Sequence, residues 1–478
     1  MSLLDITGLT ICYGDNTVVD GADIYVERGE SVGLVGESGS GKSQSALAIL
    51  GLLPKQARVS GSIEFDGQQI LGADEDRLNT LRARRIGIVF QDPMQALNPY
   101  LRVGAQLKQI LVSHGLADKA GADARVIEML AMVGLPDPER QFRVYPYQLS
   151  GGMRQRVMIA SALIAEPDLL IADEPTTALD VTVQAQILEL LEELRDETAL
   201  LLITHDLGIV AGHCEHTIVL ERGRVVDAGA TTSLFASPGH DHTRALLAAA
   251  PRVDRGGAPG PVSGSTLLSV GNASVSFKDL KAVSDVSFAV RRGETVAVVG
   301  ESGSGKSSLV RAILGLVPMT AGRVIYAGDV LMGAVEDREL SKRRDLQLVF
   351  QDPASALNPQ MRVHAIVEEP LLVHERKATA PERRSRVVAV LEKVGLEKKY
   401  LRRFPHELSG GQAQRVAIAR ALILEPKVLI CDEAVAALDG SVREQVLDLL
   451  REVQQETGLS IIFISHDLAV VRSISHRV

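Results

Sequence analysis

The string GESGSGKS occurs twice in this chain of 478 residues, at positions 36–43 and 300–307. Each copy fits the phosphate-binding loop pattern G-x-x-x-x-G-K-[ST]. Glycines let the backbone curl so that successive N–H groups point at phosphate oxygens, and the helix that follows adds its positive N-terminal end. Two such loops predict two nucleotide sites, and this limits both the fold and the function of the chain.

The residues around each loop predict an α/β fold. Apolar runs with strand character come before the loops (SVGLVG and TVAVVG), and helix-like runs follow them (SQSALAILGLL and SSLVRAILGLV). A strand, a glycine-rich turn and a helix form the context that the motif requires. Later apolar runs such as LLIAD and LLITHD predict buried parallel strands. Residues from about 92 to 148 and from about 352 to 407 predict a helical insert in each half.

Further motifs are repeated in the same order in both halves. The first half contains VFQDPMQALNP, LSGGMRQR, LLIADEP and ITHD, and the second contains VFQDPASALNP, LSGGQAQR, VLICDEA and ISHD. Because the order never changes and the spacing hardly drifts, we predict two duplicated domains, at residues 1–250 and 267–478. Residues 251–266 are rich in Pro, Gly and Ser and predict a flexible linker, which favours pairing of the two domains within one chain.

The composition excludes several classes of protein. A hydrophobic fraction of 46% with 23% charged residues is typical of a soluble globular protein. The net charge of −9 argues against a general role in binding nucleic acid. The chain has no run of 18 apolar residues, and its N-terminus has no basic region followed by an apolar core. Neither a membrane span nor a signal peptide is therefore expected.

The three cysteines, Cys12, Cys214 and Cys431, form no C-x-x-C pair. This pattern is typical of reduced, mostly buried thiols in a cytosolic protein. Cys214 lies in the segment HCEH at residues 213–216, for which a metal site is the alternative interpretation. The spacing of that segment matches no standard ligand motif, so we favour the interpretation without a metal.

Some residue types in the motifs suit phosphate and Mg²⁺ chemistry directly. The loop lysines, Lys42 and Lys306, are expected to reach the β- and γ-phosphates. A hydroxyl after each lysine and a carboxylate at the end of each LLIAD-type strand provide the oxygen ligands that Mg²⁺ prefers. The alternative is a pair of surface acids that only cap a strand, which is disfavoured beside a phosphate loop. The expected metal ligands of this kind are Ser43, Asp173, Ser307 and Asp432.

Together these motifs resemble those of the ATP-binding cassette (ABC) ATPase family. The LSGG-x-x-x-R segment just before an apolar strand that ends in Asp-Glu distinguishes this family from other proteins with a phosphate-binding loop. The resemblance covers nearly the whole chain apart from the linker. It implies two P-loop nucleotide-binding domains of mixed-sheet core and helical insert, with ATP and Mg²⁺ as cofactors, and it implies ATP hydrolysis.

The resemblance also implies catalytic side chains in each half. A glutamate after the strand aspartate polarises the attacking water. A glutamine in VFQDP senses the γ-phosphate and contacts the metal, and a histidine before the last aspartate of ITHD or ISHD holds the γ-phosphate, the water and the glutamate. Taken alone, such a glutamine is a turn residue and such a histidine is more often structural. The implied residues are Glu174, His205 and Gln91 in the first half and Glu433, His466 and Gln351 in the second, with Gln91 and Gln351 also metal ligands.

The nucleotide-binding residues implied by the resemblance fall into three groups: the phosphate loop, the signature segment (residues 149–156 and 408–415), and an aromatic residue that stacks on adenine. A Ser and two glycines at a helix start present a hydroxyl and bare N–H groups to an anion. The alternatives are simple helix capping and an exposed strand aromatic. The residues are Tyr13, Gly36, Ser38, Gly39, Gly41, Lys42, Ser43, Ser150, Gly151 and Gly152, and in the second half Phe277, Gly300, Ser302, Gly303, Gly305, Lys306, Ser307, Ser409, Gly410 and Gly411.

In this family the signature segment faces the γ-phosphate bound to the opposite domain. The site with Lys42 would then be completed by Ser409, and the site with Lys306 by Ser150. ATP would hold the two domains together and hydrolysis would release them. The residues that match the loop across that interface are Asp180 and Asp439.

The second half departs from the family pattern in two places. It has DEAVAALD at residues 432–439 where the first half has DEPTTALD. The expected metal ligand and base are kept, so we expect both sites to hydrolyse ATP. The altered loop is a reason to expect that the two sites differ in activity. The second half stops after SISHRV, whereas the first continues with HTIVLERGRVVDAG, which predicts a hairpin. We therefore expect the second domain of this sequence to lack its last strands, either because the natural chain was cut or because this half has an incomplete sheet edge, and to have lower local stability.

Finer resemblances indicate one branch of the family. Residues 237–254 and the segment FRVYPYQLSGGMRQRVMIA resemble the ATPases of peptide importers, and the second half resembles their partner ATPase. This implies a tandem fusion of the two ATP-binding subunits of a dipeptide, oligopeptide or nickel importer. Two transmembrane permease subunits and an extracytoplasmic solute-binding protein would be its partners, on the cytoplasmic face of the bacterial inner membrane.

The surface expected to contact the permeases is the helical insert after Gln91 and after Gln351. One alternative is the fused ATPase of another ABC importer, for sugars or metal chelates. A second is a soluble tandem ABC ATPase outside transport, but such proteins carry a long charged helical linker that is absent here. No nucleic-acid partner is expected.

Overall fold

The chain forms two compact units, Met1–Ala250 and Pro251–Val478. The structure is a computed structural model. The residues that it describes are 2–37, 39–118, 121–176, 181–195, 198–249, 262, 264–278, 280–301, 303–331, 333–435, 438, 440–465 and 467–478.

The first unit is built on an antiparallel sheet and a larger mixed sheet. Its strands are β1 (Ser2–Tyr13), β2 (Asn16–Glu27), β3 (Ser31–Val35), β4 (Ala57–Phe65), β5 (Gln68–Gln69), β6 (Ile86–Val89), β7 (Leu169–Asp173), β8 (Ala199–Thr204), β9 (His216–Glu221) and β10 (Arg224–Ala230). The antiparallel sheet has the order β2-β1-β4-β5, and the mixed sheet has the order β10-β9-β3-β8-β7-β6. In the mixed sheet β10 pairs antiparallel to β9, and the other strands run parallel.

Helices cover both faces of the mixed sheet. They are α1 (Lys42–Ile49), α2 (Glu75–Leu81), α3 (Pro93–Ala96), α4 (Val103–Ser113), α5 (Gly121–Met132), α6 (Pro138–Arg143), α7 (Gly151–Leu163), α8 (Val181–Arg195), α9 (Leu207–His213), α10 (Thr231–Ala236) and α11 (Asp241–Ala249). The helices α4, α5 and α6 form the insert that the sequence predicts between β6 and α7. Polar caps start several helices: Asp92, for example, accepts a hydrogen bond from the N–H of Met94 at the start of α3.

The parallel strands are buried along their whole length because each face packs on a different apolar cluster. Along β7, Leu169 and Ile171 belong to the cluster beneath the antiparallel sheet and α1. Leu170 and Ala172 belong to the cluster formed with α7, α8 and the insert. This alternation follows from the two-residue period of a strand. Each fully buried leucine or isoleucine stabilises the unit by about 1.5–3 kcal/mol relative to an exposed one.

The second unit repeats this arrangement. Its strands are β11 (Thr266–Phe277), β12 (Leu280–Arg291), β13 (Thr295–Val298), β14 (Ala321–Tyr326), β15 (Asp329–Leu331), β16 (Leu346–Val349), β17 (Val428–Asp432) and β18 (Ser460–Ile464). Its helices are α12 (Lys306–Ile313), α13 (Leu340–Asp345), α14 (Pro353–Ala356), α15 (Val363–His374), α16 (Ala380–Lys393), α17 (Gly410–Leu422), α18 (Gly440–Thr457) and α19 (Leu468–Ile474). The sheet orders are β12-β11-β14-β15 and β13-β18-β17-β16.

The two units differ at one edge of the larger sheet. In the first unit β3 lies between β8 and β9. In the second unit β13 pairs with β18 on one side, and on its other side an isolated bridge joins Val296 to Arg477. The N–H of Ala297 donates to the carbonyl of Arg477 over 2.8 Å. Fewer backbone partners therefore cover β13 than β3 within the described residues.

The predicted α/β fold, with a sheet core and a helical insert in each half, is confirmed. Among the helices of the described ranges, none combines the length and the apolar character needed to cross a bilayer.

Candidate active sites

Each phosphate loop joins a buried strand to a helix, β3 to α1 and β13 to α12. Gly41 and Gly305 precede the two helices in the left-handed conformation, with φ of 103° and 96°. A Cβ on Gly41 would lie 2.8 Å from the carbonyl oxygen of Val18, and one on Gly305 would lie 2.1 Å from that of Ala282. Only glycine avoids both the strain and the clash at these positions. Two other predicted loop residues, Ser38 and Ser302, lie outside the described residues.

The loop lysines turn back onto their own loops. The Nζ of Lys42 donates to the carbonyl oxygens of Gly36 and Glu37, over 2.7 and 2.8 Å. The Nζ of Lys306 donates to the carbonyl of Gly300 over 2.7 Å and to that of the residue after it over 2.9 Å. Both lysines are buried, and a buried ammonium group is tolerated only when it is paired or hydrogen-bonded. The loop carbonyls therefore hold a positive charge inside each loop, where a phosphate group would meet it.

A hydroxyl and a carboxylate meet beside each loop. Ser43 donates to Oδ1 of Asp173 over 3.0 Å, and Ser307 donates to Oδ1 of Asp432 over 3.1 Å. Burial raises the pKa of both aspartates, while the hydrogen bond from the serine acts in the opposite direction. A hard cation would favour the ionised carboxylates, so this pair of oxygen donors suits Mg²⁺ in each unit.

Glu174 follows Asp173 in a left-handed conformation, with φ of 47°. Its N–H donates to the carbonyl of Ile203 over 2.8 Å. The Nε2 of Gln91 donates to its Oε2 over 3.0 Å, and the Nδ1 of His205 lies 3.2 Å from its Oε1. The structure thus brings three of the predicted catalytic residues together at the carboxyl ends of β6, β7 and β8. A carboxylate held from both sides in this way can accept a proton from a water bound in front of it.

Glu433 has nearly the same environment in the second unit. Its φ is 48°, and its N–H donates to the carbonyl of Ile464 over 3.1 Å. The Nε2 of Gln351 donates to its Oε2 over 2.7 Å, and the Nζ of Lys306 lies 3.9 Å from its Oε1. The third predicted member of this group, His466, lies outside the described residues.

The signature segments cap the helices α7 and α17. The hydroxyl of Ser150 accepts a hydrogen bond from the N–H of Met153, and that of Ser409 accepts one from the N–H of Gln412, over 3.3 and 3.4 Å. Both serines are exposed, and a Cβ built on Gly151 or on Gly410 meets no atom within 4 Å. Gly152 and Gly411 are more enclosed, because a Cβ there would contact a valine. Each helix therefore presents an open N-terminal end, while Asp180 and Asp439 lie outside the described residues.

The two predicted adenine-stacking residues have different surroundings. Tyr13 is partly buried against the apolar core, and its hydroxyl donates to Oε1 of Gln44 over 2.6 Å. Phe277 ends β11 and its side chain is 45% exposed. Phe277 thus presents an open aromatic surface, whereas Tyr13 is fixed by a hydrogen bond at its edge. Stacking on adenine stays a prediction for both.

The two histidines of the alternative metal site at residues 213–216 each lie beside a different carboxylate. The Nδ1 of His213 lies 2.7 Å from Glu192, and the Nδ1 of His216 lies 2.5 Å from Glu30. Within the described ranges, no group of three or more His, Cys, Asp or Glu side chains is arranged to hold a metal ion.

One contact near the site was not predicted from the sequence. Gln155, inside α7, donates from its Nε2 to the carbonyl oxygen of Pro175, directly after Glu174. The sequence does contain a signal for this contact, because Gln155 is an amide side chain on a face of α7 that otherwise carries apolar residues. Its counterpart, Gln414 in α17, is equally buried but makes no such bond within the described residues.

Comparisons with known proteins agree with the two repeated sites. The family model described as "ABC transporter" matches residues 19–177 and 283–436. The peptidoglycan transport ATP-binding protein YejF of Agrobacterium fabrum is 44% identical over 491 residues, which cover 99% of this chain and 90% of that protein. The glutathione import ATP-binding protein GsiA of Pectobacterium atrosepticum is 43% identical, with 95% and 80% coverage. The oligopeptide transport ATP-binding protein OppD of Mycobacterium bovis is 38% identical, with 100% and 93% coverage.

Both the repeated family match and the full-length similarity to these relatives identify the chain. Its two halves each contain an ATP-binding domain, and ATP hydrolysis coupled to transport is the activity of such domains. The chain belongs to the ABC transporter family, as a tandem of two ATP-hydrolysing domains.

Proposed function

We propose that this chain powers the import of peptides, or of a related small solute, through partner permeases. Three relatives that match nearly its whole length are named for transport of peptidoglycan, glutathione and oligopeptides, and all three cargoes contain peptide bonds. The similarity to these relatives supports the peptide cargo, and the ATP-driven part of the proposal is carried by the recurrence, in both units, of a glutamine amide bonded to a glutamate at a strand end. These pairs are Gln91 with Glu174 and Gln351 with Glu433.

The residues around each strand end fit Mg²⁺·ATP. In the first unit Ser43, Gln91 and Asp173 would hold the metal, and Lys42 would hold the phosphates. The metal would neutralise charge on the β- and γ-phosphates. Glu174 accepts the proton of the attacking water, because its carboxylate is already held by Gln91 and His205. In the second unit the corresponding residues are Ser307, Gln351, Asp432, Lys306 and Glu433.

We further propose that the two domains are residues 1–250 and 267–478, joined by a linker at residues 251–266, and that they pair around the nucleotides. In this pairing Ser409 covers the ATP held by Lys42, and Ser150 covers the ATP held by Lys306. The exposed, unobstructed N-terminal ends of α7 and α17 support the proposal, because bare N–H groups at a helix start bind anions.

Disulfide crosslinking tests the pairing. In a chain without its native cysteines, Gly39→Cys with Ser409→Cys is expected to crosslink when ATP is bound and hydrolysis is blocked. The matched control is Gly39→Cys with Ser150→Cys, which joins two residues of the same half and is expected not to crosslink. A reversed result would overturn the proposed pairing.

We propose that the permeases bind at the inserts that follow Gln91 and Gln351, which would place the chain peripherally on the cytoplasmic face of the membrane. In the first unit this surface includes Tyr100, which is 87% exposed, and its neighbour Leu101. Large exposed apolar side chains that lie next to each other mark binding surfaces. Since the insert follows the glutamine that contacts Glu174, binding there would link the permease to the state of the nucleotide.

Copurification with the two permease subunits tests this surface. Tyr100→Asp is expected to weaken recovery of the complex, while Tyr25→Asp, the same change at an exposed position on β2 outside the insert, leaves it unchanged. Charge reversals across residues 92–105 and 352–365 that left membrane recruitment intact would overturn the proposed surface. A chain that hydrolysed ATP but bound no permease would favour the class of tandem ATPases outside transport.

A further inference from the structure

Two glutamines occupy matching positions in the two signature helices, α7 and α17. Gln155 is 3% exposed and Gln414 is 1% exposed. Both amides are therefore buried, and an unpaired polar group is unfavourable in the protein interior. The two glutamines can therefore be compared directly, since they occupy the same helix position in two copies of the same fold.

The two amides differ in what they contact. The Nε2 of Gln155 donates to the carbonyl oxygen of Pro175. The Nε2 of Gln414 has no hydrogen-bond partner within the described part of the chain. At the position of Pro175 the second half has Ala434, which is followed by Val435.

The bond made by Gln155 lies directly beside the proposed general base. Glu174 is in the left-handed conformation, which is unfavourable for a residue with a side chain and persists only when its neighbours hold it. Its own N–H is bonded to Ile203, and the peptide unit after it is held by the amide of Gln155 through Pro175. The signature helix thereby fixes the turn that aims the Glu174 carboxylate.

The second half holds the equivalent turn differently. Glu433 has the same left-handed φ, and its N–H is bonded to Ile464. Beyond it, Ala434 and Val435 are each 2% exposed and pack into the apolar core. Apolar packing restrains the turn without direction, whereas a hydrogen bond to one carbonyl sets its orientation.

We propose that Gln155 is a positioning residue for ATP hydrolysis in the first half, and that the second half lacks this link. The Glu174 site and the Glu433 site are therefore unequal, and motion of α7 is transmitted to Glu174 more directly than motion of α17 is to Glu433. This inference rests on the proposed roles of Glu174 and Glu433.

The test compares Gln155→Met with Gln414→Met in the full chain, by steady-state ATP hydrolysis and thermal unfolding. Methionine matches the length of glutamine but has no N–H donor. Gln155→Met is expected to lower turnover at the Glu174 site about fivefold, the effect of losing one typical hydrogen bond, and so to lower total kcat in proportion to the share of that site, with KM for ATP unchanged. Gln414→Met is expected to leave kcat unchanged and to raise the melting temperature, because it removes a buried Nε2 group that has no hydrogen-bond partner among the described residues.

A second variant protects the test against a folding defect. Gln155→Leu also removes the N–H donor to Pro175 and places no charge in the buried site, so it is expected to lower kcat as well. Equal effects of the Gln155 and Gln414 variants on kcat, or a change confined to KM, would overturn the inference. Full activity of Glu174→Gln would instead overturn the proposed role of Glu174, so the two failures are distinguishable.

Discussion

The hydroxyl of Ser43 donates a hydrogen bond to Oδ1 of Asp173 over 3.0 Å, which joins the first turn of α1 to the last residue of β7. Burial raises the pKa of Asp173 above its ordinary value. The ionised carboxylate is therefore disfavoured in the folded chain, and a cation beside Ser43 would relieve this penalty. Asp173 is thus suited to holding a metal ion, and it destabilises the first unit when no metal ion is bound.

Asp173→Asn is expected to raise the melting temperature by about 2–4 °C at neutral pH without Mg²⁺ or nucleotide, and to remove Mg²⁺-dependent ATP hydrolysis. The asparagine keeps an oxygen that accepts from Ser43 but carries no charge. Because the folded-state pKa of Asp173 is raised, the protonated carboxyl favours the folded chain at acid pH. This stability is lost as pH rises through that pKa and the carboxyl ionises. The gain of the variant should accordingly grow from acid to neutral pH in thermal melts. Asp432→Asn is the matched variant, and a lower melting temperature for both would contradict the argument.

Glu174→Gln and Glu433→Gln are each expected to lower ATP hydrolysis by about 10²-fold or more at the site that carries the change, since a general base contributes on that scale. Glutamine preserves the size of the side chain, so binding of a fluorescent ATP analogue should be kept. The loss of total activity should be larger for Glu174→Gln, because the turn at Glu174 is also held by Gln155. Equal losses for the two variants would indicate equivalent sites.

Backbone amides of β13 are expected to exchange with deuterium faster than those of β3. Strand β3 pairs on both sides, with β8 and β9. Strand β13 pairs with β18, and on its other side the described residues give it the bridge from Val296 to Arg477 and hydrogen bonds between Thr295 and His476. Opening of a strand with fewer backbone partners requires less free energy. Hydrogen-exchange mass spectrometry of the two strands measures this, and equal protection would contradict it.

The thiols of Cys12 and Cys431 are expected to react with iodoacetamide in a fixed order. Cys431 is fully buried, and burial raises its pKa to about 12, so its thiolate is scarce at neutral pH. Cys12 is partly exposed and should be alkylated first, while Cys431 should react only after unfolding. Peptide mapping by mass spectrometry gives the order. Labelling of Cys431 in the native chain as fast as Cys12 would show that β17 opens readily.

Local patterns in the sequence are enough to predict the duplication, the strand-turn-helix around each phosphate loop, and the helical inserts. The glycines of GESGSGKS predict the loop because a left-handed turn such as that at Gly41 depends on a few adjacent residues. The buried strands are predictable because an apolar run of strand length between turns has few other outcomes. The same pattern puts Asp173 at the end of a strand and Glu174 directly after it, as the structure has them.

The pairings that make up each site were decided by the tertiary structure. Gln91 and Glu174 meet only because β6 and β7 are parallel neighbours, and the register between strands distant in sequence depends on packing across the whole sheet. The same long-range packing brings α7 against the turn after Glu174, so that the Nε2 of Gln155 donates to the carbonyl of Pro175, while the Nε2 of Gln414 has no hydrogen-bond partner in the described part of the chain. Near-identical motifs in the two halves could not show this difference, because it depends on the orientation of a backbone carbonyl in three dimensions.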